Sequence, residues 1–133
     1  MDRLARKYET ARQRVPSPII DQNPKARVGL IAYGSSHWAV VECRDRLLAE
    51  HRLETSYLRL RAVPFNQDLQ DFIQRHDRVY VIEQNRDGQM YSLIRLDIKA
   101  EMVPQLHSVR HYDGLPINAH SIAEQILSQE GIH

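Results

Sequence analysis

With 133 residues the chain has room for one domain and one core. Its 18 Lys and Arg against 17 Asp and Glu leave a net charge of +1, which argues against a general nucleic-acid or membrane-surface binder, and no apolar run approaches the ~20 residues of a membrane span. The basic N-terminus has no apolar signal-peptide core, and a lone cysteine, Cys43, excludes an internal disulfide and a Cys-type zinc cluster, so a reducing, cytoplasmic setting is expected.

Residues 2–15 place Leu4, Tyr8, Ala11 and Val15 on one helical stripe, with Arg3, Arg6, Lys7, Arg12 and Arg14 on the other faces. A solvated connecting helix is expected over 1–15, ended by Pro16 and Pro18, with a domain over 16–133. Ile19-Ile20 is long enough for one short extended strand. Arg27 to Tyr33 is a near-continuous apolar run, the pattern of a strand buried on both faces. Gly34-Ser35-Ser36 is a turn, and either serine can cap the helix that follows. In that helix Ala39, Val40, Cys43 and Leu47 fall within ~100° of one another, a core-facing stripe.

A second long strand is predicted over Thr55 to Ala62, where Leu58, Leu60 and Ala62 alternate with Tyr57, Arg59 and Arg61, so one face should be wetter. Pro64 stops it, and Asn66 can cap a helix whose Leu69, Phe72 and Ile73 face inward. Val79 to Ile82 is a third strand buried on both sides, followed by a loop from Gln84 to Gly88 and by Met90, Leu93, Ile94 and Ile98 at helical spacing, a pattern that Pro104 breaks. Residues 107–112 form a short strand, Asp113-Gly114 a turn, and Asn118 caps a last helix carrying Ala119, Ile122, Ala123, Ile126 and Leu127 inward. This alternation of strand and helix predicts an α/β fold: a mostly parallel sheet with helices on both faces.

Ligands of such sheets collect beyond the carboxyl ends of the strands. Here those ends carry Gly34-Ser35-Ser36-His37, then Arg61 to Phe65, then Glu83-Gln84-Asn85. The turn lacks the spaced glycines of a dinucleotide fingerprint and the Lys-Ser/Thr pair of a phosphate loop, so a tight turn with a cap explains it better than an anion site does. A phospho-acceptor receiver would need acidic residues at the ends of the first and third parallel strands, and Glu83 stands alone. His107 and His111 lie ~13 Å apart on a strand, too far for one metal ion, while His37, His76 and His120 near helix ends read as capping or solvated groups. No Gly-x-Ser-x-Gly elbow surrounds Ser35 or Ser36, and Cys43 lies on a buried stripe. The residues therefore give no catalytic, cofactor-binding or metal set. They leave a weak anion site, where Gly34-Ser35-Ser36 meets Arg59 and Arg61, and a polar rim of Gly34, Ser35, Ser36, His37, Trp38, Glu83, Asn85 and Gln89 suited to an interface. Trp38 anchors that rim, ~100° off the core stripe of its helix.

Two stretches carry a family resemblance. Ala32-Tyr-Gly-Ser-Ser-His-Trp38 with Glu42 one turn on, and Arg59-Leu-Arg-Ala-Val-Pro-Phe65 followed by Val79-Tyr-Val-Ile-Glu-Gln-Asn-Arg-Asp-Gly-Gln-Met90, resemble in order and spacing the transketolase C-terminal-like domain of 2-oxoacid:acceptor (ferredoxin) oxidoreductase alpha subunits. The resemblance runs from about Arg3 to Gln125, and residues 1–15 look like that family's linker from an upstream domain. It implies a three-layer α/β/α fold with a mixed sheet of about five strands, Ile19-Ile20 supplying the antiparallel one. It also implies a parent enzyme of 2-oxoglutarate or pyruvate type that oxidatively decarboxylates a 2-oxoacid to its acyl-CoA. That enzyme would use thiamine diphosphate, Mg, coenzyme A, iron–sulfur clusters and ferredoxin. No catalytic residue of the family falls on this chain, which leaves it a packing role toward the upstream domain and a beta subunit. The competing expectation is a free-standing binding module for a phosphorylated or adenylated small molecule.

Overall fold

The computed structural model describes residues 17–61, 65, 67–84, 88–110 and 118–132, apart from the side chain of Ser35. The expected helix over 1–15, Ala62, Pro64, Asn66, Asn85, His111 and the turn at 113–114 lie outside these residues.

Among the described residues five strands form one sheet: β1 (Ile19–Asp21), β2 (Val28–Tyr33), β3 (Thr55–Leu60), β4 (Arg78–Glu83) and β5 (Leu106–Arg110). Their order across the sheet is β1-β3-β2-β4-β5. The Ile19-Ile20 expectation is met: β1 runs antiparallel to β3, with Ile20 opposite Leu58, and the remaining pairings are parallel. Among the described residues four α-helices connect and cover the sheet: α1 (His37–His51), α2 (Gln67–Gln74), α3 (Gln89–Asp97) and α4 (Ala119–Glu130).

Strand alternation sorts the side chains into two cores, one on each side of the sheet. Val28, Leu30 and Ala32 of β2, Tyr57 of β3, and Tyr80 and Ile82 of β4 pack under Val40, Cys43 and Leu47 of α1 and Ile122 and Ile126 of α4. Ile31, Leu58, Leu60, Val79 and Val81 point the other way, onto Leu69, Phe72 and Ile73 of α2 and Ile94 of α3. The result is a three-layer α/β/α sandwich with a mixed, mostly parallel sheet. The helix stripes read from periodicity match these contacts except at Leu93, which is 49% exposed. Gly29 of β2 is small for a packing reason: a Cβ there would lie 2.8 Å from Phe72 Cε1 and 3.2 Å from His76 Cγ.

Two local expectations fail. The wetter face of β3 is dry along half its length, with Thr55 at 4% and Tyr57 at 5% exposure. The reason is α1, which lies across it: Arg44 donates from Nε to Thr55 Oγ1 at 3.0 Å and from Nη2 to Thr55 O at 2.7 Å. Ser36 does not cap α1, because Gly34–Ser36 forms a 3-10 turn that leads directly into the helix. Asn118 does cap α4, its Oδ1 accepting from the Ser121 amide at 2.8 Å.

The free edge of β5 is blunted. Gln125 and Gln129 of α4 donate from Nε2 to the carbonyls of Arg110 and Ser108 at 3.0 and 3.1 Å, occupying groups that would otherwise template another strand. At the C-terminal end of α4, Glu130 takes a bidentate contact from Arg78 at 2.5 and 2.8 Å and a hydrogen bond from the Tyr80 hydroxyl. Burial and that carboxylate hold the Tyr80 hydroxyl well above its ordinary pKa. These contacts pin the last helix to the start of β4.

Candidate functional site

The chain leaves β2 toward β3 on one side and later returns to β4 on the other, so the strand order reverses at β2. That reversal is where open α/β sheets part their connections and form a crevice. The ladders reflect it: β2–β3 pairing continues to Tyr33 opposite Leu60, whereas β2–β4 pairing ends at Ile31 opposite Val81. The turn Gly34–Ser36 rises on one bank and Glu83 ends β4 on the other.

On the first bank, Gly34 makes the turn at φ 62, a left-handed conformation open to glycine at no steric cost. Ser36 is 3% exposed, and His37 begins α1 with Nδ1 3.0 Å from the Tyr57 hydroxyl. The two rings stack at 5.7 Å with 20° between planes. Burial, then the Arg59 charge, lower the His37 pKa, so this imidazole is neutral at pH 7. Burial pushes the Tyr57 hydroxyl up to about 12 against the opposing charges of Arg59 and Arg44. Trp38 meets the His37 ring edge-on at 4.8 Å and is 77% exposed.

The structure divides the residues singled out from sequence. His37 and Arg59 come together at Tyr57, and Trp38 packs against His37. Arg61 is exposed and turns toward β1, where Nη1 lies 3.4 Å from the Ser17 carbonyl. Glu83 is 0% exposed and its carboxylate is committed: Oε1 accepts from the Met90 amide at 2.6 Å and Oε2 from the Tyr91 amide at 3.0 Å. It caps α3 from the end of β4, in place of Gly88, the residue before the helix, which has no side chain to do so. Gln89 opens α3 and is exposed.

Sequence reasoning missed Tyr57 and His76. Tyr57 was assigned to a wet strand face; its signal was its place two residues before Arg59, on the same side of β3. His76 was assigned to a helix end; it is 2% exposed, with Nδ1 2.6 Å from the Phe72 carbonyl and Nε2 3.4 Å from Gln22 Nε2. Gln22, itself exposed, in turn donates to Ser56 Oγ at 3.2 Å, so a polar cluster over buried His76 and Ser56 closes the amino end of the sheet. Among the described residues no group of three or more His, Cys, Asp or Glu is placed to hold a metal ion, and no helix is long and apolar enough to cross a membrane.

These features define a doubly wound α/β/α domain whose topological switch point is flanked by the Gly34–Ser36 turn and Glu83, with no assembled acid–base or nucleophilic set among the described residues. The chain shares this fold with the 2-oxoglutarate:ferredoxin oxidoreductase of Magnetococcus marinus, solved with 2-oxoglutarate, coenzyme A and succinyl-CoA bound: TM-score 0.76, 22% identity, 91% of this chain covered. It spans only 21% of that much longer chain. A second solved structure, the alpha chain of a probable 2-oxoacid ferredoxin oxidoreductase from Thermoplasma acidophilum, superimposes with a TM-score of 0.55 at 16% identity over 86% of this chain and 97% of that one. No family model and no curated protein matches the sequence.

Proposed function

We propose that this chain is the non-catalytic C-terminal domain of a thiamine-diphosphate-dependent 2-oxoacid:ferredoxin oxidoreductase of the cytoplasm, and that its work is packing and subunit assembly. The observation that carries the reading is Trp38, an indole 77% exposed on the crevice rim. A large aromatic left in water beside polar neighbours is the residue type that anchors interfaces. The opposite bank fits the same reading, since Glu83 is consumed as a helix cap and is removed from any acid–base role. The fold likeness to two oxidoreductase chains supports this reading, and the partners it proposes are an upstream domain of the same subunit and a beta subunit.

Thiamine diphosphate with Mg, coenzyme A, iron–sulfur clusters and ferredoxin contacts belong to other parts of such an enzyme. The residues described here offer no ligand set for an iron–sulfur cluster: no metal-holding group is present among them, and Cys43, 0% exposed, is the chain's one thiol. The test is Trp38→Ala in the assembled enzyme. Assembly with the beta subunit is expected to weaken while the chain still folds. Intact assembly together with a loss of several kcal/mol of stability, as truncating a buried aromatic costs, would make Trp38 a core residue and end the proposal.

A further inference from the structure

A cavity of about 300 Å³ opens on the side of the sheet away from α1 and α4, between α2 and the segment that leads into β5. Because Leu69, Phe72 and Ile73 of α2 face the core, Gln67 and Gln70 fall on its flank and form one wall. Lys99, Glu101, Met102 and Gln105, in and just before the 3-10 turn Ala100–Gln105, form the other. The size is at the lower end of small-molecule sites, but their walls are mostly apolar, and here the apolar part is Met102, 7% exposed.

The amides of this cavity are all set the same way round. Gln105 spends both hydrogens of Nε2 on the carbonyls of Ile73 and His76, at 3.4 and 2.6 Å. Gln70 turns Nε2 to the Asp97 carbonyl at 3.5 Å, and Gln67 turns Nε2 to Asp71 Oδ1 at 3.2 Å. Each keeps an Oε1 that accepts from no described residue. Independently, Lys99 and Glu101 line the same cavity with opposite charges, yet form no ion pair with each other or with any other described residue. Carbonyl acceptors beside a carboxylate match an ammonium, which only donates, and a lysine matches a carboxylate, which only accepts. We infer that this cavity is a binding site for a free α-amino acid. Its ammonium donates to the amide oxygens and Glu101, its carboxylate accepts from Lys99, and its side chain lies on Met102. The site does not depend on membership of an oxidoreductase, and its failure would leave the Trp38 interface untouched.

The test is titration of the isotope-labelled chain with L-leucine, followed by nuclear magnetic resonance of the glutamine side-chain amides. Two analogues, 4-methylpentanoate without the ammonium and 3-methylbutylamine without the carboxylate, are titrated alongside. L-Leucine is expected to saturate in the millimolar range or tighter and to move the Gln70 and Gln105 signals, and each analogue to bind about fivefold or more weakly. Lys99→Met and Glu101→Gln, at exposed positions where folding is not at stake, should each weaken L-leucine to a similar degree, while Lys25→Met, an exposed lysine elsewhere, should leave it within about twofold. No saturation by about 20 mM L-leucine, or binding indifferent to both Lys99→Met and Glu101→Gln, overturns the site. Analogues that bind as well as L-leucine overturn the amino acid as its ligand.

Discussion

The sequence pattern places Glu83 on the rim of an interface, whereas in the structure its carboxylate caps α3, so its removal should be felt by the isolated chain. In Glu83→Ala the Met90 and Tyr91 amides lose their acceptor at 2.6 and 3.0 Å, in a place where Glu83 itself is 0% exposed. Replacing a capping side chain by alanine costs about 0.5–2 kcal/mol, and each buried amide left unpaired costs about 1–3 kcal/mol unless water reaches it. Relief of the buried carboxylate's desolvation returns part of this, leaving a net loss of about 3 kcal/mol. With a urea slope of about 1.5 kcal/mol per molar, the unfolding midpoint should fall by about 2 M. Glu83→Gln keeps one acceptor oxygen and should lose about half as much. Leu96→Ala, on the same helix at 86% exposure, should change stability by under about 0.5 kcal/mol. Urea denaturation followed by far-UV circular dichroism reads all three. A Glu83→Ala midpoint within about 0.3 M of the parent would mean that the cap carries no weight and that Glu83 is free for another role.

Gly29→Ala should cost about 1–3 kcal/mol in the same assay, because the new methyl meets Phe72 at 2.8 Å and the face has no slack; a neutral outcome would show that Phe72 and His76 move aside. His76 titrates below its ordinary value, chiefly through burial, so its contribution has a definite sign. It is neutral and harmless above the unfolded-state pKa of about 6.5, and stability falls as pH drops below that, by at most about 1.4 kcal/mol per pH unit, until the folded-state pKa is passed. Unfolding midpoints at pH 7.5 and 5.5 should therefore converge in His76→Gln, and an unchanged pH dependence would assign the effect elsewhere. Cys43, 0% exposed, has its thiol pushed up to about 12 by burial, against a smaller opposing effect from Arg46; native-state labelling should be slow, and complete reaction within seconds would place it at the surface.

The layer plan was legible because it rests on periodicity. Val28, Leu30, Ala32 and Ile31 fall on opposite faces by alternation alone, and Val40, Cys43 and Leu47 share a face by helical spacing. What escaped depends on contacts distant in sequence. Tyr57 looks exposed in a strand pattern because nothing local announces that Arg44 of α1 crosses it. Glu83 looks like a free acid because its amide partners lie seven and eight residues on, past a loop. His76 is buried because its ring packs on Phe72 and against Gly29 of β2, a neighbour far away in sequence. At the candidate site the residue types were readable, but the division was not: register alone puts Arg59 beside Ala32, and a hydrogen bond to Ser17 draws Arg61 away.

The central claim, that the rim around Trp38 is a covered surface in an assembled oxidoreductase, is tested most directly by hydroxyl-radical footprinting of the Trp38 peptide. The isolated chain and the native complex are oxidised side by side and read by mass spectrometry. In the isolated chain the indole, 77% exposed, should be among the most heavily modified positions, and in the complex its modification should fall several-fold. Equal modification of Trp38 in the two samples would contradict the account.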